Sequence, residues 1–269
     1  MEYHVLASGS KGNSTFIYTN GFGILIDCGI SKKQLVTRLA QIGYSESDIH
    51  CVLLTHDHSD HKKSIHIFDP SIVYAGLGCI DGLCPQHILK PYQPIGFNHI
   101  EITPLSISHD ATSPLAFVIQ DGVSKLVYMT DTGYVSKKNM NFIENANYYI
   151  IESNHDIDML MNSNRPVFLK KRILSDVGHL SNDYSARLIC KVLGDQTRDI
   201  VLAHLSEEAN TPELALKCYC DIFEYSQKNI NHYNIKVASQ TDVISGGDEI
   251  ENKNYQYWQD QREIPVSGD

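Results

Sequence analysis

His56-Asp57-His58-Ser59-Asp60-His61 follows directly on the apolar run Val52-Leu53-Leu54 and Thr55. The apolar run reads as a buried strand. Residues two apart on an extended chain point the same way, so His56 and His58 can grip one cation together. The chain must then turn, which puts Asp60 and His61 where a second cation can sit. Imidazole combined with carboxylate suits Zn²⁺, Mn²⁺ or Fe. A solvated, histidine-rich turn is the plain alternative, but it requires four fixed positions to coincide by chance.

Short strands are expected before the motif at Tyr3–Ala7, Thr15–Thr19 and Gly23–Asp27, joined by the loop Ser8–Ser14 and by the hairpin signal Asn20-Gly21. A helix follows, with Ser31 as N-cap and Gln34 completing a capping box; Leu35, Leu39 and Ile42 take helical spacing, and Gly43 ends it. Downstream, strands are expected at Ser71–Tyr74, His99–Ser108, Leu115–Gln120, Lys125–Thr130, Tyr148–Glu152, Ile200–Ala203 and Ile235–Ala238. One helix opens at Ser181-Asn182 with Tyr184, Leu188, Ile189 and Val192 on one face. Another has Thr211 as cap and Pro212 at its first position, with Leu214, Cys218 and Ile222 inward. Strands interspersed with helices give an α/β layered domain over residues 1–245. The polar, acidic segment 246–269 reads as a loose tail.

Composition narrows the function classes. A chain of 269 residues with 42% hydrophobic content can bury a large core. It contains no apolar run long enough to span a membrane and no signal-like start, and its seven cysteines include no CxxC pair, so a reducing cytoplasm fits. The net charge of −10 argues against a generic nucleic-acid coat, while leaving room for a local site made positive by metal ions.

Four single residues stand at the ends of expected strands: Asp27, His109, Asp131 and His204. Alone, each reads as a turn former or surface group. Behind the six-residue motif, and in this order, they join it in one site.

That order resembles the metallo-β-lactamase superfamily, which implies an αββα four-layer sandwich with a two-metal cleft along one edge. Carried over by position, His56, His58 and His109 would hold one ion; Asp60, His61 and His204 would hold the other, with Asp131 between them. Asp27 would orient ligand histidines. Leu6-Ala7-Ser8-Gly9-Ser10-Lys11-Gly12-Asn13-Ser14, Glu152-Ser153-Asn154-His155-Asp156, Leu174–Asn182 and Ala203–Glu208 further resemble the YycJ/WalJ group. This resemblance implies a cytoplasmic 5′-to-3′ exonuclease acting on DNA ends, in the company of repair or replication proteins. One departure is Lys62-Lys63-Ser64, where the family usually has an apolar residue and a glycine.

Two divalent ions, Zn or Mn, among five histidines and two aspartates leave a net positive centre that attracts phosphate, acidifies a water and offsets charge in an in-line displacement. Asp60 and Asp131 therefore count as catalytic as well as ligating. The resemblance implies His179 as the acid that protonates the leaving 3′-oxygen, oriented by Glu152. Ser10, Lys11 and Asn13 of the glycine loop, Asn154, and Lys171 in the basic run before His179 are candidate substrate contacts. An RNA-processing nuclease of the same fold would use the same centre. A thioester or lactone hydrolase would share the metals without needing Glu152 and His179. Too few residues separate Asp131 from His204 for a large β-CASP insertion.

Overall fold

The structure, a computed structural model, describes residues 1–248. Alternating apolar residues give β1 (Glu2–Ala7), β2 (Ser14–Thr19), β3 (Phe22–Ile26), β4 (Ile49–Leu54), β5 (Val73–Gly76) and β6 (Ile88–Leu89). There follow β7 (Ile95–Phe97), β8 (Ile100–Ser106), β9 (Leu115–Gln120), β10 (Lys125–Met129), β11 (Tyr148–Glu152), β12 (Asp199–Ala203), β13 (Asn234–Val237) and β14 (Ile244–Gly247). The helices are α1 (Lys32–Gln41), the single turn α2 (Ser59–Lys62), α3 (Lys137–Ile143), α4 (Ile157–Asn162), α5 (Val167–Ile173), α6 (Asn182–Val192) and α7 (Pro212–Tyr225).

Two mixed sheets result, in the orders β14-β1-β2-β3-β4-β5-β6 and β13-β12-β11-β10-β9-β8-β7. The inner faces of both sheets bury each other, with Tyr3, Ile24 and Leu53 on one side and Phe117, Tyr128 and Ile150 on the other. Helix α1 covers the outer face of the first sheet through Leu35 and Leu39. Helices α6 and α7 cover the second through Ile189, Val192, Tyr219 and Phe223. The architecture is the expected αββα sandwich. No helix among the described residues is long and apolar enough to cross a membrane.

Several boundaries shift, each for a physical reason. Pro70–Ile72 forms a 3₁₀ turn capped by Asp69, so the strand expected from Ser71 begins at Val73. Tyr184 is 43% exposed because α6 buries the small Ser185 and Ala186 on the side nearer the sheet. In α7 the inward stripe is Ala215, Tyr219, Ile222 and Phe223; two aromatic rings bury more apolar surface than Leu214 and Cys218 would. Gly246 and Gly247, read from the sequence as tail, close β14 against Tyr3 and Glu2. The remainder of that segment, 249–269, lies outside the described residues.

Asp248 fastens this last strand. It accepts from Tyr148 Oη (2.6 Å), the Met1 ammonium (3.0 Å) and Ser124 Oγ (2.8 Å), and it pairs with Arg198. Burial opposes its charge, yet Tyr148, the N-terminus and Ser124 outweigh burial and hold the carboxyl at about 2. The unfolded value is about 3.9, so this stabilisation is complete above roughly pH 4 and is lost as pH falls through the folded value. Urea titration of Asp248→Asn should show a loss of about 1–2 kcal/mol at pH 7 that closes in strong acid. A variant as stable as wild type at pH 7 would deny the clamp.

Candidate metal centre

Strand direction brings the site together. β3 and β4 are parallel with Ile26 opposite Leu53, so Asp27 and the Thr55-His56 step leave the first sheet side by side. β10, β11 and β12 are parallel with Met129, Ile151 and Leu202 in register, so Asp131, Glu152 and His204 emerge together from the second. β8 runs antiparallel to β9, and β9 to β10, which carries His109 to that same edge. Ser8, just beyond β1, joins the two sheets here by accepting from the His204 N–H at 2.7 Å. Asp27, Asp131 and His204 all adopt left-handed backbone, with φ of 61°, 57° and 56°. Such residues cost of order 1–3 kcal/mol each and recur at functional sites.

Four imidazoles have their Nδ1 atoms engaged, which turns each Nε2 toward the cleft. His56 Nδ1 lies 3.0 Å from Thr55 Oγ1, and His61 Nδ1 lies 2.7 Å from Asp27 Oδ2. His109 Nδ1 is 3.2 Å from the Gly178 carbonyl, and His204 Nδ1 is 3.0 Å from Glu152 Oε1. Tying one ring nitrogen fixes the tautomer and aims the other, as a metal ligand requires. His58 stands edge-on to His56 and to His109, with ring centroids at 4.6 and 5.1 Å.

Three donor groups follow: His56, His58 and His109; Asp60, His61 and His204; and His56, His61 and Asp131, each with its ligand atoms within 4.8 Å of one another. Asp131 Oδ2 lies 3.3 Å from His61 Nε2, and its Oδ1 lies 3.9 Å from His109 Nε2, so one carboxylate faces both clusters. His56 Nε2, His204 Nε2 and Asp131 Oδ2 are buried without hydrogen-bond partners among the described residues. Orphaned buried polar atoms are costly, and divalent ions at these two positions would satisfy all three. The residues present therefore fit a pair of ions.

A fourth group, Asp131, Glu152, His179 and His204, is equally close. Glu152, however, is already saturated. Its Oε2 accepts the Thr132 and Leu180 N–H groups at 3.0 Å each, and its Oε1 meets His179 Nδ1 at 2.7 Å as well as His204. It acts as a hydrogen-bond hub. Burial opposes its charge, yet His179 and His204 outweigh burial and hold it ionised, at about 2. Burial likewise opposes ionisation of Asp131, while His204 and His61 hold it well below the usual carboxylate range. Burial disfavours a charged His61, but Asp27 and Asp131 raise it to about 10.

The candidate substrate contacts divide. Ser10 and Lys11 are exposed at the rim, Lys11 paired with Glu207 at 2.8 Å, and Lys171 is exposed on α5. Asn13 is buried: its Oδ1 accepts the Gly9 N–H at 2.9 Å, and its Nδ2 lies 3.0 Å from His61 Nε2. The loop's N–H groups also turn inward, those of Ser8, Gly12 and Asn13 to backbone carbonyls and that of Lys11 to Gln240. These amides thus hold the loop's own shape. Asn154 is buried too and donates to the His204 carbonyl at 2.8 Å, supporting the metal-facing turn from behind. Next to it His155 is 1% exposed, and burial lowers it to about 4, which leaves a neutral ring in the interior.

Sequence reasoning missed Thr55, whose hydroxyl reaches Asp27 at 2.9 Å and His56 at 3.0 Å, and Thr132, whose N–H supports Glu152. Their positions, one before the motif and one after Asp131, were the available signal. At Lys62-Lys63-Ser64 the Ser64 N–H donates to Cys28 at 2.8 Å, so the turn closes without the glycine.

Gly29 makes a direct test of this construction. A Cβ there would sit 1.6 Å from the Asp60 carbonyl oxygen, against backbone that cannot yield cheaply. Gly29→Ala should displace the Asp60-His61 turn, cost roughly 2–4 kcal/mol and lower bound metal per chain, measured by elemental analysis. Retained metal at wild-type stability would contradict the packing described.

Comparison with known proteins agrees with this fold. The family model described as a beta-lactamase superfamily domain matches residues 23–204. The exodeoxyribonuclease WalJ of Streptococcus pneumoniae is 37% identical over 229 residues, covering 80% of this chain and 85% of that protein. The exodeoxyribonuclease YycJ of Bacillus anthracis is 35% identical over 238 residues, covering 83% and 89%. Among solved structures, the metallo-beta-lactamase fold protein YhfI of Bacillus subtilis superposes with a TM-score of 0.67 at 20% identity, covering 91% of this chain and 99% of that one. The chain belongs to the beta-lactamase superfamily, in the group of its WalJ and YycJ relatives.

Proposed function

We propose that this protein is a 5′-to-3′ exonuclease on double-stranded DNA, with two divalent ions, Zn or Mn, at His56/His58/His109 and at Asp60/His61/His204 and with Asp131 between them. The coarser reading, a metal-dependent hydrolase, follows from the family and the donor groups. DNA as substrate is supported by the relatives' activity, and a cytoplasmic setting with repair or replication partners is part of the same proposal.

One observation carries the phosphodiester chemistry: the 2.7 Å contact between His179 Nδ1 and Glu152 Oε1, with His179 Nδ1 also 3.7 Å from Asp131. Bound divalent ions supply a water acidified toward hydroxide and positive charge for a phosphate oxygen. The chain's residues do the rest. Asp27 and Thr55 fix His61 and His56 from behind, and Glu152 does so for His204. Asp60, 24% exposed beside His61 and His204, faces the cleft where the attacking water would be oriented. An ionised Glu152 keeps the His179 Nδ1–H engaged, leaving Nε2 to deliver a proton to the departing 3′-oxygen. His179 is partly exposed, at 18%, as a group that must meet substrate has to be. Ser10, Lys11 and Lys171 at the rim would meet the DNA backbone.

Duplex DNA labelled at either end, with Mn²⁺ or Zn²⁺, provides the test, beside an RNA of equal sequence and a thioester. Loss of label from the 5′ ends is expected, abolished by chelator and reduced at least about 10³-fold by Asp131→Ala. His179→Ala should keep its metal and lose about 10²–10⁴ in rate. Turnover of the thioester alone would overturn the substrate, and a full rate in His179→Ala would overturn the proton donor.

A further inference from the structure

Residues 157–177 expose six large apolar side chains, Ile157, Met161, Val167, Phe168, Leu174 and Val177, half of the twelve so exposed among the described residues. They lie immediately before Gly178-His179. Within this stretch α5 buries only Ile173, while Phe168 is 74% exposed. The helix is nevertheless moored to the metal centre. Arg172 donates from Nε and Nη2 to the two oxygens of Asp110, at 2.5 and 2.9 Å, and the Asp110 N–H donates to Val177 at 3.2 Å. Asp110 Oδ1 is in turn 3.6 Å from His109 Nε2. The remaining N–H groups of the Arg172 guanidinium have no acceptor among the described residues, and the side chain is 47% exposed. Phe168 and Arg172 are four residues apart, hence on one face of α5, their backbone positions separated by about 6 Å of helix rise.

We infer that α5 is the platform for the end of the DNA substrate, Arg172 holding a backbone phosphate next to the metal centre and Phe168 stacking on the terminal base one helical turn away. The inference rests on the nuclease reading and adds the surface that seats the end. Charge and shape both favour nucleic acid as occupant. Lys171 and Arg172 are exposed on a chain whose net charge is −10, three and four residues beyond Phe168 on the same short helix, with Arg172 paired to Asp110. Base stacking on an aromatic ring is sequence-tolerant, which an exonuclease that advances through every base requires.

The test uses the full chain loaded with Mn²⁺ and a duplex carrying 2-aminopurine as its 5′-terminal base. Binding of wild type should change the probe's fluorescence, and Phe168→Ala should lose that change. Phe168→Ala and Arg172→Ala should each raise KM for duplex DNA about tenfold, and should lower the ratio of DNA to bis(4-nitrophenyl) phosphate turnover by a similar factor. Phe168→Trp should restore both readouts. Val123→Ala, at an exposed apolar position in the turn between β9 and β10, is the control expected to change neither. A wild type that cleaves DNA while Phe168→Ala keeps its KM and its fluorescence change overturns the platform alone. A wild type that cleaves no DNA overturns the nuclease reading, and the platform falls with it. Wild type forming dimers that Phe168→Ala dissolves would overturn the platform by making this face a subunit interface.

Discussion

A buried carboxylate with no exposure to water, Glu152, is the interaction on which the site depends. A charge in that position is tolerable only if fully hydrogen-bonded, and its four partners come from three different parts of the chain. Thr132 follows β10, His179 and Leu180 precede α6, and His204 follows β12. Satisfying one anion therefore fixes the spacing of three strand ends and the turn that carries His179. Asp27 does the same for the first sheet, holding Thr55 and His61. Between these two anions stand the imidazoles, four of them with Nδ1 engaged and Nε2 turned to the cleft.

Under the proposed function, this arrangement would let a chain of net charge −10 attract a polyanion. Its acidic residues at the centre serve inward, ordering histidines, and bound cations become the largest local charges. Long-range attraction toward DNA would be weak on such a surface, so the proposed activity relies on short-range contacts at the rim. The separation of tasks is spatial. Anions lie behind the histidines, ions belong between the sheets' edges, and basic and aromatic side chains stand outside.

Most of the residues that converge on the candidate site could be read in the sequence because strand ends and histidine spacing are local signals. An α/β layered domain was also legible, since Leu115–Gln120 and Tyr148–Glu152 alternate or fill as strands should, while the αββα order came from the family resemblance. What escaped was tertiary. Asn13 and Asn154 looked like substrate contacts because polar side chains near a cleft suggest one; in the fold their amides support the glycine loop and the His204 turn. Leu214 and Cys218 share a helical stripe as good as that of Ala215 and Tyr219, and only the packing partner decides between them. Nothing local marked β14 either, because its pairing partner lies at the other end of the chain.

Anomalous diffraction from crystals grown with Mn²⁺ and a duplex bearing a non-hydrolysable phosphorothioate end would test the central claim most directly. The account predicts two ions, one among His56, His58 and His109 and one among Asp60, His61 and His204, with Asp131 touching both and His179 facing the scissile phosphorus without touching either. A single ion, or an ion bound by Glu152 and His179, would contradict it.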